Sequence, residues 1–205
     1  MRLPLLASVL FLVAPAEAQR AAHPDSVLAR AIHQRAEIDQ AVLHVARAGY
    51  DEENADSLVM AVQRLNASWV RAVLAERGYP KISEVGPEAS TRLWLMVQHA
   101  DHDVGFQREV LAAMQPLYAD GEVSGAIVAY LTDRILVAQG VPQRYGTQVE
   151  RWEGYDPIPF AMEDPRRVDV RRAALGMDSL ADYFDLFRRN RGYPVPDRAG
   201  DSGDD

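Results

Sequence analysis

Apolar residues recur at helical spacing along most of this chain, and the breaks in that pattern mark its elements. Asp25 and Ser26 can cap a first helix that runs to about residue 48, with Val27, Leu28, Ile32, Val42 and Val45 as its apolar stripe and Gly49 as its stop. A second helix is predicted from residues 54–56 through Leu58, Val62, Leu65, Trp69 and Val73, ending at Gly78, Tyr79 and Pro80. Asn66 sits inside that pattern despite its poor helix propensity, which points to a specific contact. After a loop through Gly86 and Pro87, a third helix carries Leu93, Trp94, Met96 and Val97 up to His99, with Ser90 and Thr91 as capping residues at its start. Asp103 caps a fourth containing Phe106, Val110, Leu111 and Met114. A fifth spans 123–139 and is closed by Gly140 and Pro142.

The periodicity changes after Gly146. Residues 147–152 alternate like a strand, Glu153 and Gly154 can turn, and 155–162 can return as an edge strand interrupted by Pro157 and Pro159. A sixth helix follows Asp164 and Pro165, carries Val168, Val170, Ala174 and Leu175, and stops at Gly176; a last one covers 180–189. No internal repeat or linker divides the chain. The expectation is a mainly α, single-domain helical bundle with one small β-hairpin near its C-terminal third.

The two ends read differently. Arg2, an apolar run over 3–13 and small residues at Ala16 and Ala18 have the form of a secretory signal peptide, so residues 1–18 are expected to be cleaved and 19–192 to form the helical domain. The apolar run is too short to span ~30 Å of hydrocarbon. The chain is therefore expected in the periplasm or secreted, with no membrane association after cleavage. Residues 193–205, rich in Pro, Gly and Asp, read as a disordered acidic tail. No cysteine is present, which excludes disulfides and a lipidated mature end. A net charge of −8 without an aromatic-interleaved basic patch argues against nucleic acid as a partner.

Three polar runs interrupt apolar helical pattern where solvated surface would cost less. They are Gln98 to Asp103, Tyr130 to Arg134, and Gln143 to Gln148. Buried carboxylates, imidazoles and carboxamides need mutual hydrogen bonds, so such a cluster forms either a site or a structural network. Asp39, Asn66, Gly78-Tyr79-Pro80, Trp94 with Gln98-His99-Ala100-Asp101, Asp133-Arg134, Tyr145-Gly146-Thr147-Gln148 and Asp169 with Arg171-Arg172 together resemble a bacterial family, the domain of unknown function 6624 family. Tyr79 stands where that family more often has tryptophan. The resemblance implies a small, mostly helical bacterial domain and supplies no catalytic residues to transfer.

The residue types leave several chemistries open. His99 and Asp101 are ligand types for a transition metal, but His99 and His102 lack the i, i+4 spacing that aims two imidazoles at one ion, so neither a metal nor another cofactor is assigned. In an acid–base reading His99 titrates near neutrality, Asp133 or Asp39 orients it, and Arg134 receives an anionic substrate. That makes His99, Asp133 and Arg134 the catalytic candidates of a hydrolase-type enzyme, metal-assisted or not. No cysteine, Gly-x-Ser-x-Gly elbow or phosphate loop offers a nucleophile. In the structural reading Asp133 and Arg134 form interhelical ion pairs with Asp169 or Arg172, and Trp69 and Trp94 belong to the core. The leading expectation is a non-catalytic domain that binds a small ligand or a protein partner through a polar pocket built from Asp39, Gln98, His99, Asp101, Asp133, Arg134, Gln143, Tyr145 and Gln148.

Overall fold

The computed structural model describes residues 25–49 and 52–196. The expected signal peptide and the end of the acidic tail, 197–205, lie outside the described residues. Among those described, eight α-helices and one two-stranded sheet follow in order: α1 (Ser26–Arg47), α2 (Glu52–Arg77), α3 (Ile82–Val85), α4 (Pro87–Gln98), α5 (Val104–Tyr118), α6 (Gly125–Ala138), β1 (Val149–Glu153), β2 (Asp156–Pro159), α7 (Val168–Ala173) and α8 (Leu180–Asn190), with a 3-10 turn at Pro165–Arg167 before α7. The protein is a helical bundle with a small hairpin, as the periodicity predicts.

Local capping explains where the helices begin. The Asp25 carboxylate accepts from the Leu28 N–H at 2.7 Å and pairs with Arg77 at the far end of α2, which ties the α1–α2 hairpin at its open end. Asp103 accepts from the Phe106 N–H at 2.9 Å and pairs with Arg71 of α2 at 3.0 Å. Both side chains do what their sequence positions predict. Ser90 and Thr91 do not. Helix α4 starts earlier, at Pro87, because Pro is pre-set for the first helical turn and Gly86 takes φ 87° before it. Thr91 therefore bonds back to the Pro87 carbonyl, and the Ser90 hydroxyl is buried with no protein partner. The single turn α3 lies within the stretch read as loop, since four residues carry no periodicity.

Helix α1 packs along α2 and across α4, α5 packs on α6, and α4 touches α2, α5 and α6. Ile32, Val70, Leu93, Val97, Phe106, Val110, Met114 and Leu131 fill the space between them, with Trp94 against Tyr130. The α1 core face is narrower than its sequence stripe. Leu28, Ile32, Ala36 and Asp39 face inward, whereas Val27 is 75% exposed and Val45 is also exposed. Leu58 and Leu65 of α2 and Val170 of α7 are likewise outside. A one-residue offset turns a side chain by about 100°, enough to move it off the buried stripe.

The hairpin pairs β1 and β2 antiparallel, with a register shift between Val149 and Arg151, and α8 lies against β2. Pro157 and Pro159 are tolerated because β2 is an edge. Tyr193, read as the head of the tail, instead packs edge-on against Trp152 at 5.6 Å and beside Tyr155 at 5.0 Å.

Candidate functional site

The polar residues that look alike in sequence divide into three hydrogen-bonded groups. The first joins the middle of α1, the middle of α2 and the C-terminal end of α4. Asp39 Oδ2 lies 2.5 Å from His99 Nδ1, and both residues are buried. Gln40 Nε2 donates to the same oxygen at 3.2 Å, and Asn66 Nδ2 donates to Asp39 Oδ1 at 3.4 Å. This is the contact that holds Asn66 inside α2. Nδ1 is the ring nitrogen that meets the Asp39 carboxyl, and Nε2 faces away as the other. His99 Nε2 is buried and has no hydrogen-bond partner in the protein.

The second group locks the turn between α4 and α5 onto α6. Arg134 donates to both carboxylate oxygens of Asp101, at 2.6 and 2.7 Å. Gln107 Nε2 donates to the Val97 and Gln98 carbonyls and to Asp101 Oδ1. Gln98 itself is buried at the last turn of α4. Asp101 is thus the ion-pair partner of Arg134, in place of the expected interhelical pairing through Asp169 or Arg172. Its geometry is bidentate, the strongest arrangement for these two groups.

The third group is centred on Asp133, which is fully buried in α6. Oδ1 accepts the Arg144 and Tyr145 N–H groups at 2.7 and 3.1 Å, and Oδ2 accepts the Thr147 N–H and hydroxyl, both at 2.9 Å. Burial pushes the Asp133 carboxyl above its ordinary range, against the pull of the Thr147, Arg144 and Tyr145 N–H groups. The same loop has its carbonyls taken from the other side. Arg171 donates to the Arg144 carbonyl at 2.6 Å, Arg172 to that of Tyr145 at 2.7 Å, and the Tyr183 hydroxyl to that of Thr147 at 3.1 Å. Gln143 closes the loop on itself. Its side chain accepts from the Gln148 N–H and donates to the Gln148 and Phe160 carbonyls, while Gln148 Nε2 reaches the Thr147 hydroxyl. Gly146, at φ 71°, makes the turn, and a Cβ there would stand 2.7 Å from Leu180.

Arg172 lies over the Tyr183 ring at 4.8 Å, and burial lowers its guanidinium from the ordinary range. Burial also pushes the Tyr130 hydroxyl up to about 12 and that of Tyr183 well above its usual value, so both phenols stay neutral across the physiological range.

The structure therefore brings His99 together with Asp39 and Asn66, and holds Asp133, Gln143, Tyr145 and Gln148 in a separate loop clamp. Arg134 and Asp101 occupy each other. A groove of about 600 Å³ runs over α5 and α6, lined by Gly105, Arg108, Glu109, Leu111, Ala112, Gln115 and Ile135, and none of the predicted site residues lines it. Among the described residues no three His, Asp or Glu side chains converge as metal ligands, and His99 and Asp101 belong to different groups. The sequence places Thr147 in a polar run and Arg172 as an ion-pair partner of Asp133, and it leaves out Tyr183; in the structure all three belong to the clamp. The position of Tyr183 on the apolar face of an amphipathic helix is the signal that could have marked it.

Similarity adds a frame for this geometry. No curated protein and no solved structure matches the chain. A family model matches residues 26–195, nearly all that the structure describes, and the chain belongs to that family of unknown function, DUF6624.

Proposed function

We propose that this is an exported, non-catalytic ligand-binding domain whose recognition group is His99, held by Asp39, which Asn66 in turn holds. One observation carries the reading. Within a cluster whose other members have partners, the His99 ring has one nitrogen anchored and the other buried without a protein partner. A buried polar atom left unpaired costs about 1–3 kcal/mol, and recognition of a ligand group recovers that cost. The remaining sequence candidates, Asp101, Asp133, Arg134, Gln143, Tyr145 and Gln148, act in this reading by holding the α4–α5 turn and the 143–148 loop in place.

Carbethoxylation of the folded protein, mapped by mass spectrometry, tests whether a small molecule reaches Nε2. His99 should react, more slowly than exposed His102. Complete protection of His99 under conditions that label His102 would overturn the reading.

The same dyad favours a second reading, a hydrolase. A carboxylate-oriented imidazole is the arrangement of a general base. Nε2 would take a proton from water, the oxygen would attack an ester or amide carbonyl, and the leaving group would receive the proton from the imidazolium. Arg134 stands outside this dyad, paired through Nε and Nη2 with Asp101.

Export rests on the sequence of residues 1–18 alone. Among the described residues no helix is long and apolar enough to cross a membrane. A mature chain beginning at Gln19, found by mass spectrometry of the exported fraction, would support it, and intact chain beginning at Met1 would not.

A further inference from the structure

The electrostatics around His99 restrict what it can receive. Resting on the ligand-binding reading above, we infer that the His99 site takes an uncharged or cationic hydrogen-bond donor, a hydroxyl or an ammonium group, and rejects anions.

Three features lead there. With the Nδ1 hydrogen committed to Asp39, the neutral ring offers a lone pair at Nε2, and the group that matches it is a donor. Behind the ring stands the Asp39 carboxylate, and its hydrogen bonds from Gln40 and Asn66 come from neutral carboxamides that leave its charge in place. His99 also terminates α4, and the C-terminal end of a helix carries partial negative charge.

Several guanidiniums of the bundle already have partners. Arg134 is bound bidentate to Asp101, and Arg71 bridges Asp103 and Glu109. Arg172 is spent on the Asp178 and Tyr145 carbonyls. Arg35, one turn before Asp39 on α1, lies over the Trp69 ring at 4.6 Å. The expectation of an anionic substrate held by Arg134 is thereby replaced by its opposite. An anion at Nε2 would face a buried carboxylate across one imidazole ring, in a medium that screens poorly.

The test is a titration of the ¹⁵N-labelled protein, watched at the imidazole nitrogens, with the His99 signals assigned from their loss in His99→Gln. Methylammonium, glycerol and inorganic phosphate are added separately at matched ionic strength. A saturable shift of His99 Nε2 with methylammonium or glycerol, larger than at Nδ1, supports the proposal, and the responding probe identifies the donor as ammonium or hydroxyl. In Asp39→Asn the methylammonium affinity should fall several-fold while that for glycerol changes less. A saturable shift with phosphate overturns the donor rule but leaves the ligand-binding reading standing. No response to any of the three overturns both.

Discussion

The Asp39–His99 pair and the Asp133 clamp are both built from polar residues set into apolar helices, yet they end in opposite states. Asp133 accepts four donors at 2.7 to 3.1 Å, all from one loop of its own chain. The carbonyls of that loop are taken by Arg171, Arg172 and Tyr183. Both carboxylate oxygens of Asp133 are engaged within the chain. The Asp39 pair spends one carboxylate on orienting one imidazole and leaves Nε2 unpaired. A saturated network specifies a structure, while a nearly saturated one with a single open atom specifies what can be added to it.

The largest effect expected from this contrast is at Asp133. Asp133→Ala strands the Arg144, Tyr145 and Thr147 N–H groups and should cost on the order of 3 kcal/mol or more, a melting temperature lower by roughly 6–12 °C for a domain of this size. Thermal unfolding followed by circular dichroism measures it, and a drop below ~1 kcal/mol would mean the clamp is dispensable.

Gly146→Ala attacks the same loop through its backbone. The left-handed φ of 71° and a new Cβ 2.7 Å from Leu180 should together cost roughly 2 kcal/mol, read from denaturant midpoints. A neutral result would show that the turn relaxes freely.

His99→Ala removes the other network's open member and should cost only about 1 kcal/mol, because Asp39 keeps its bonds from Gln40 and Asn66. In a cycle with Asp39→Ala the two substitutions should couple, since the residues touch. A loss as large as that of Asp133→Ala would erase the distinction between the two regions.

Tyr130 sharpens the contrast by pH. Its folded pKa is raised from 10.0 to about 12, so the neutral phenol is the form the fold favours. The stability it contributes is complete below pH 10 and is lost as pH rises toward about 12. Tyr130→Phe should flatten that alkaline loss in a melting series, and an unchanged alkaline limb would assign it elsewhere.

The smallest effect is at the cap of α5. Asp103→Ala should cost about 1 kcal/mol at neutral pH. The Phe106 N–H, followed by Arg71, holds the Asp103 carboxyl below 3.8, so its contribution is present above that value and fades as pH falls further. The gap between variant and wild type should accordingly close in acid, and a gap constant with pH would show that the cap does not act through its charge.

Elements that obey short-range rules were legible in the residues themselves. Asp25 and Asp103 cap helices, Gly49 and Gly140 end them at positive φ, and Gly146 turns the chain where it was expected to. Each depends on contacts within a few residues, where spacing and side-chain type carry the information. Asn66 was legible for the same reason, as a residue that local preference alone would not leave inside a helix. The partner of each polar run was decided only by the tertiary structure. Asp39 meets His99 across 60 residues, and Arg134 meets Asp101 across 33. Composition and periodicity treat His99, Asp133 and Gln143 as one cluster because each interrupts an apolar stripe. Which of them share an interior depends on how α1, α4 and α6 cross, a matter of long-range packing that no local pattern encodes.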